Sequence, residues 1–139
     1  MRNKPINHLS TNYGNYLMIF AVWIIILLGA LRTKAQTPQE VYNLCVQLEI
    51  KHPEIVVKQS ILESGWYKCE NCSRDKNNLF GFRYKHKYLE FQSWERSVVY
   101  YRFWQKSRYK GGNYFSFLDR IGYATSKTYI QKLKQIELK

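Results

Sequence analysis

The chain has 139 residues, which suits a single domain and excludes a second hydrophobic core. It carries 22 Lys and Arg against 10 Asp and Glu, a formal net charge of +12. Such an excess favours a polyanionic partner or surface, whether nucleic acid, anionic lipid or an acidic cell envelope, and charge alone does not choose among them.

The N-terminus narrows the choice. Residues 16–31 form an almost unbroken apolar run containing Ile24-Ile25-Ile26-Leu27-Leu28, preceded by Arg2 and Lys4 and followed by Thr33-Lys34-Ala35. A charged start, an apolar stretch and small residues where a signal peptidase reads are the layout of a secretory signal peptide, here residues 1–35, cleaved after Ala35. The run also approaches the ~17–25 residues that span a bilayer, so the alternative is an uncleaved anchor over residues 16–31. Under either reading residues 36–139 are exported, to the periplasm, the cell envelope or the medium. Nucleic acid is then not an expected partner, the membrane is met only through the N-terminal segment, and a monomer is expected.

Thr37-Pro38-Gln39-Glu40 reads as a capping box with proline at the first helical position. Val41, Leu44, Cys45 and Leu48 then recur at helical spacing, which makes Cys45 a buried small hydrophobe on an apolar stripe. A second helix starts near Pro53, carries Ile55, Val56, Gln59 and Leu62 on one broad face, and stops at Gly65, so Glu63 sits in its last turn. Residues 69–78 are polar and turn-rich, hence a loop. Residues 79–84 and 88–92 are short and aromatic-rich, and with Tyr84-Lys85-His86-Lys87 between them they suggest a small β-hairpin.

Ser93 is a good N-cap for a third helix with Trp94, Val98, Tyr101 and Trp104 or Gln105 inward. Gly111-Gly112 breaks the chain. Residues 113–120 make a short helix with Phe115, Leu118 and Ile121 inward and Gly122 as its stop. Ser126 or Thr128 opens a last helix carrying Ile130, Leu133 and Ile136. The expected fold class is α+β, mostly helical with one small hairpin.

Three cysteines, Cys45, Cys69 and Cys72, suggest one disulfide and one free thiol in an oxidising compartment, with Cys69 and Cys72 as the disulfide candidates, paired to each other or one of them to Cys45. Cys69-Glu70-Asn71-Cys72 could also be half of a zinc site, but His52 and His86 are isolated and no second ligand pair stands at suitable spacing. No metal and no cofactor are expected.

Three segments carry chemistry: Gln59-Ser60-Ile61-Leu62-Glu63-Ser64-Gly65-Trp66, then Asn78-Leu79-Phe80-Gly81-Phe82-Arg83, then Ile121-Gly122-Tyr123-Ala124-Thr125 followed by Tyr129 and Lys132-Leu133. Glycoside hydrolysis needs a carboxylic acid that stays protonated near neutral pH. Glu63 would lie at a helix C-terminus, where the macrodipole disfavours negative charge, with Leu62, Trp66 and Phe80 available as apolar surroundings. An isolated Glu in that position would ordinarily be a solvated carboxylate at a frayed end. The constellation around this one argues otherwise. Most of the aromatic residues suit core packing, while Tyr84, Tyr88 and Tyr123 occur where they could stack on a sugar ring. Arg83, Lys85 and Lys87 form a basic patch near the hairpin, able to attract an anionic envelope.

In this order and spacing the segments resemble the glucosaminidase domain of glycoside hydrolase family 73, described as mannosyl-glycoprotein endo-beta-N-acetylglucosaminidase-like and including flagellar peptidoglycan hydrolases and autolysins. The resemblance runs from about Thr37 to the C-terminus. It implies a lysozyme-like fold, peptidoglycan glycan strands as substrate, glycosidase rather than amidase chemistry, and Glu63 as general acid. It also implies that Trp66, Asn78, Phe80 and Gly81 line the glycan cleft and bind the substrate, and that Tyr123 and Tyr129 face the sugar from the opposite wall. The sequence departs from the family at Tyr67, often glycine there, and in the hairpin tip, which holds no second carboxylate. Glu90 is the nearest candidate, with Asp75 in the preceding loop. Three routes remain open: hydrolysis assisted by the substrate's own N-acetyl group, a lytic transglycosylase with one Glu, or a glycan-binding module that does not cut.

Overall fold

The structure is a computed structural model and describes residues 36–138; the expected leader or anchor over residues 1–35 lies outside them. The described chain is ordered as helix α1 (Pro38–Gln47), helix α2 (Pro53–Glu63), a 3-10 turn (Ser73–Lys76), strands β1 (Arg83–Tyr84) and β2 (Lys87–Tyr88), then helices α3 (Trp94–Arg108), α4 (Tyr114–Arg120) and α5 (Tyr129–Gln135).

The capping box at Thr37 forms in both directions. The Thr37 hydroxyl accepts from the Glu40 backbone N–H at 3.2 Å, and the Glu40 carboxylate accepts from the Thr37 N–H at 3.0 Å. This satisfies two donors that a helix start leaves unpaired. α1 then buries Val41 and Cys45.

α2 is the central helix. The sequence predicts one apolar face, but Ile55, Val56, Val57, Gln59, Ser60 and Ile61 are all buried, while Leu62 is only half-buried. A helix apolar or small on most sides belongs inside a core, and α2 packs against both α1 and α5. Each of its four buried aliphatic side chains contributes roughly 1.5–3 kcal/mol.

The other helices follow their predicted positions with shifted inner faces. α3 buries Ser97, Val98, Tyr101 and Gln105, leaving Trp94 and Trp104 partly covered, and Ser93 makes no side-chain cap bond. α4 buries Tyr114, Phe117 and Leu118 rather than Phe115 and Ile121. α5 follows Thr128 and buries Tyr129 and Leu133.

The hairpin is much shorter than predicted, with two residues per strand in the register Arg83↔Tyr88 and Tyr84↔Lys87. Leu79 and Phe80 are drawn into the core instead of extending a ladder. The base of the hairpin is closed by a side chain: Asn78 Nδ2 donates to the Phe82 and Leu89 carbonyls at 2.8 and 2.9 Å, and its Oδ1 accepts from the Phe82 N–H at 3.0 Å.

Candidate active site

Two helix ends deliver the site. Glu63 is the last residue of α2, and the chain leaves through a Schellman motif: the Trp66 N–H donates to the Ile61 carbonyl at 2.8 Å and the Gly65 N–H to Leu62 at 3.4 Å. Gly65, Trp66 and Tyr67 are all left-handed, with φ of 54, 60 and 57°. For the two non-glycine residues that conformation costs roughly 1–2 kcal/mol each. Tyr67 offsets it by being buried, with its hydroxyl donating to Ser60 Oγ at 2.6 Å and its N–H to Ser64 Oγ at 3.0 Å.

α4 ends in the same way. The Tyr123 N–H donates to the Leu118 carbonyl at 3.1 Å and the Gly122 N–H to Asp119 at 3.0 Å, with Gly122 left-handed at φ 61°. This turn aims the Tyr123 hydroxyl at the Phe80 carbonyl, to which it donates at 2.9 Å. The Tyr123 ring stacks on Tyr129, with centroids 5.8 Å apart, and meets Trp104 edge-on at 5.3 Å.

Gly81 lies against the Glu63 carboxyl. A Cβ at position 81 would stand 2.7 Å from Glu63 Oε2, so the backbone approaches the acid more closely than any other residue type allows. Glu63, Phe80, Gly81, Phe82 and Arg83 join Ile121, Gly122 and Tyr123, with Trp104 and Arg108, around a cleft of about 300 Å³. A larger depression of about 510 Å³ lies elsewhere, around Lys51, Arg102 and Lys106. Its one carboxylate, Glu49, is exposed, so it offers no sheltered acid.

Burial pushes the Glu63 carboxyl above the ordinary carboxylate range, while the Tyr129 hydroxyl and the Arg83 guanidinium pull the other way. Burial and the Glu63 charge push the Tyr129 hydroxyl up as well, so it remains a proton donor. The Arg83 guanidinium sits 4.0 Å from the centroid of the Tyr88 ring, its cross-strand partner, which steadies it beside the cleft.

The sequence model of the glucosaminidase family, described as mannosyl-glycoprotein endo-beta-N-acetylglucosaminidase, matches residues 39–138. The chain belongs to the glucosaminidase family. No curated protein and no solved structure matches it. The mostly helical domain with its small hairpin is the lysozyme-like fold, and membership implies a peptidoglycan glycoside hydrolase acting outside the cytoplasm.

Of the residues singled out in the sequence, the glucosaminidase fold brings Glu63, Phe80, Gly81 and Tyr123 to one cleft, with Tyr129 packed behind Glu63. Asn78 is fully buried and its amide is used within the hairpin, so it shapes the cleft without facing it. Trp66 is not brought to the cleft. The left-handed turn carries it to another surface, 55% exposed, beside Pro38, Ile61 and Leu138. Glu90 is exposed and pairs with Lys76 at 3.2 Å, and the Asp75 carboxylate accepts from the Asn71 N–H at 2.6 Å; neither lines the cleft. Tyr84 is 69% exposed at the hairpin. Cys69 and Cys72 are joined by a disulfide, and Cys45 is a buried free thiol. Phe82, Trp104, Arg108 and Ile121 are cleft residues that periodicity alone assigned elsewhere or left unassigned.

Proposed function

We propose that this glucosaminidase cleaves β-linked N-acetylglucosamine in peptidoglycan, with Glu63 protonating the leaving oxygen. The observation that carries the reading is the sheltered Glu63 carboxyl, pushed up by burial and held against Gly81 in an aromatic-lined cleft. A proton donor of that kind is what glycosidic bond cleavage requires. Glu63 is the sole carboxylate among the cleft residues. The substrate's 2-acetamido group therefore serves as the internal nucleophile on the face of the sugar away from Glu63. Water then opens the cyclic intermediate, with ionised Glu63 accepting its proton. Tyr123, Phe82 and Trp104, each half-buried at the cleft, offer aromatic surface for the sugar rings.

Mass spectrometry of digested peptidoglycan tests this. New reducing ends on N-acetylglucosamine are expected. Anhydro-muramyl ends would make the enzyme a lytic transglycosylase, and an unchanged sacculus with bound protein would make it a binding module. Glu90→Gln and Asp75→Asn should each keep activity within a few-fold of wild type, because their carboxylates are occupied outside the cleft. A folded Glu90→Gln as inactive as Glu63→Gln would restore the two-carboxylate mechanism. We also propose that residues 1–35 are an export leader removed after Ala35. An exported chain whose sequenced N-terminus is Gln36 bears this out; one retaining residues 16–31 in the membrane makes the segment an anchor.

A further inference from the structure

We propose that Gln59 and Tyr101 are positioning residues for the cut, because a buried hydrogen-bonded chain running through them aims the Tyr129 hydroxyl at the Glu63 carboxyl. The proposal rests on the reading of Glu63 as the acid.

Gln59 is the unusual residue. It is fully buried in the middle of α2 among Val56, Val57 and Ile61, and it takes no part in lining the cleft. A primary amide in such a place is costly unless its hydrogen bonds are made. They are made in series with other buried groups. At the far end, the Lys51 backbone N–H donates to Gln105 Oε1 at 2.8 Å and the Lys51 carbonyl accepts from Gln105 Nε2 at 2.8 Å. A backbone N–H only donates and a carbonyl only accepts, so the orientation of the Gln105 amide is fixed.

That orientation sets the direction of everything downstream. The second Nε2 proton of Gln105 goes to the Tyr114 hydroxyl oxygen at 2.9 Å. Tyr114 and Tyr101 hydroxyls lie 2.6 Å apart, and the Tyr101 hydroxyl donates to Gln59 Oε1 at 2.5 Å. Each hydroxyl has one proton. Tyr101 spends its proton on Gln59, so Tyr114 donates to Tyr101. With Oε1 of Gln59 held by Tyr101, its Nε2 faces the Tyr129 oxygen at 3.5 Å and donates to it. The proton of Tyr129 is left for the Glu63 carboxyl, its side-chain partner at the cleft end of the chain.

Reversing the chain would leave the Tyr114 proton without an acceptor among the described residues. Tyr114 is 2% exposed, so water does not substitute, and an unmet buried donor is disfavoured. Tyr123 does not compete for Glu63, because its hydroxyl is committed to the Phe80 carbonyl. The chain therefore converts a fixed backbone amide at Lys51 into a directed proton at Tyr129, across the width of the core.

The test compares wild type, Tyr101→Phe and Tyr114→Phe in the full chain. It reads the titration of the Glu63 carboxyl by carbon NMR, together with kcat, KM and the pH profile of glycan cleavage. Losing the directed Tyr129 proton removes a bond to the ionised carboxylate, so the Glu63 midpoint should move up. The expected shift is on the order of half a pH unit, the net strength of one hydrogen bond. The alkaline limb of kcat should move with it, kcat should fall several-fold, and KM should stay put. A merely structural role would lower stability and leave the midpoint in place. A folded Tyr101→Phe with the wild-type midpoint overturns the proposal. Tyr114→Phe leaves the Tyr101 proton on Gln59 and should keep the wild-type midpoint. If Tyr101→Phe does not fold, Gln59→Met, which removes the donor that holds the Tyr129 oxygen, decides on the same readout. A wild-type chain that titrates as described but cuts no glycan refutes the catalytic reading instead, while the NMR comparison still judges the chain.

Discussion

Glu63→Gln is expected to leave a folded domain that cuts glycan about 10²–10⁴-fold more slowly, the usual contribution of a positioned acid. The amide keeps the shape of the carboxyl and can still accept from Tyr129, but it has no proton to give the leaving oxygen. Its stability should change in a definite direction. Burial holds the Glu63 proton more tightly in the folded state than in the unfolded chain. Linkage then makes the contribution of Glu63 to stability full below its ordinary value of 4.5 and smaller as pH rises through the folded value. Above that ordinary value the unfolded chain gives up the Glu63 proton more readily than the folded one does, a cost to folding that glutamine does not carry. Glu63→Gln should therefore melt at or above the wild-type temperature at pH 7, and lose that advantage below about pH 4.5. A lysis assay paired with melts at the two pH values checks both halves. Wild-type lysis by the variant would end the case for Glu63.

Gly81→Ala is expected to cost kcat on the order of 10²-fold, the scale associated with misplacing a reacting group by about 1 Å. The new methyl would arrive 2.7 Å from Glu63 Oε2, and since position 81 is backbone, the carboxyl is what gives way. The left-handed φ of 66° adds roughly 1–2 kcal/mol of strain for any residue with a Cβ. Gly122→Ala separates the two effects. It carries similar strain at φ 61°, but its Cβ would meet nothing within 4 Å. A melt and a kcat for each variant should show comparable destabilisation and a much larger activity loss at position 81. Equal kcat values for the two would mean that the close approach to Glu63 has no catalytic consequence.

The helices and the position of Glu63 were legible in the sequence because local chemistry encodes them. Thr37 and Glu40 make a cap whose partners are three residues apart, and Gly65 ends α2 where a glycine is expected to. The hairpin was overdrawn because Leu79 and Phe80 look like strand residues, yet their burial and the Asn78 side chain replace most of the ladder. Trp66 was misplaced for a different reason. A tryptophan and a tyrosine in consecutive left-handed positions have no sequence signature, and that turn decides which surface Trp66 reaches. Helical spacing pointed Tyr101 and Gln59 inward. It could not show that residues 42 positions apart share a hydrogen bond, since that pairing exists only once α2 and α3 have met.

The burial of Cys45 protects the disulfide of the neighbouring loop from exchange. A chain with three thiols can form the wrong disulfide, and thiolate is the form that attacks. Cys45 is fully buried where α1 packs against α2, and its thiol is pushed up to about 12. At neutral pH that leaves roughly one thiolate in 10⁵, walled off from any oxidant. In the folded domain the packing of the two helices removes the third sulfur from competition with Cys69 and Cys72. The first helical pair thereby shields the Cys69–Cys72 bond from exchange with the one thiol that could scramble it.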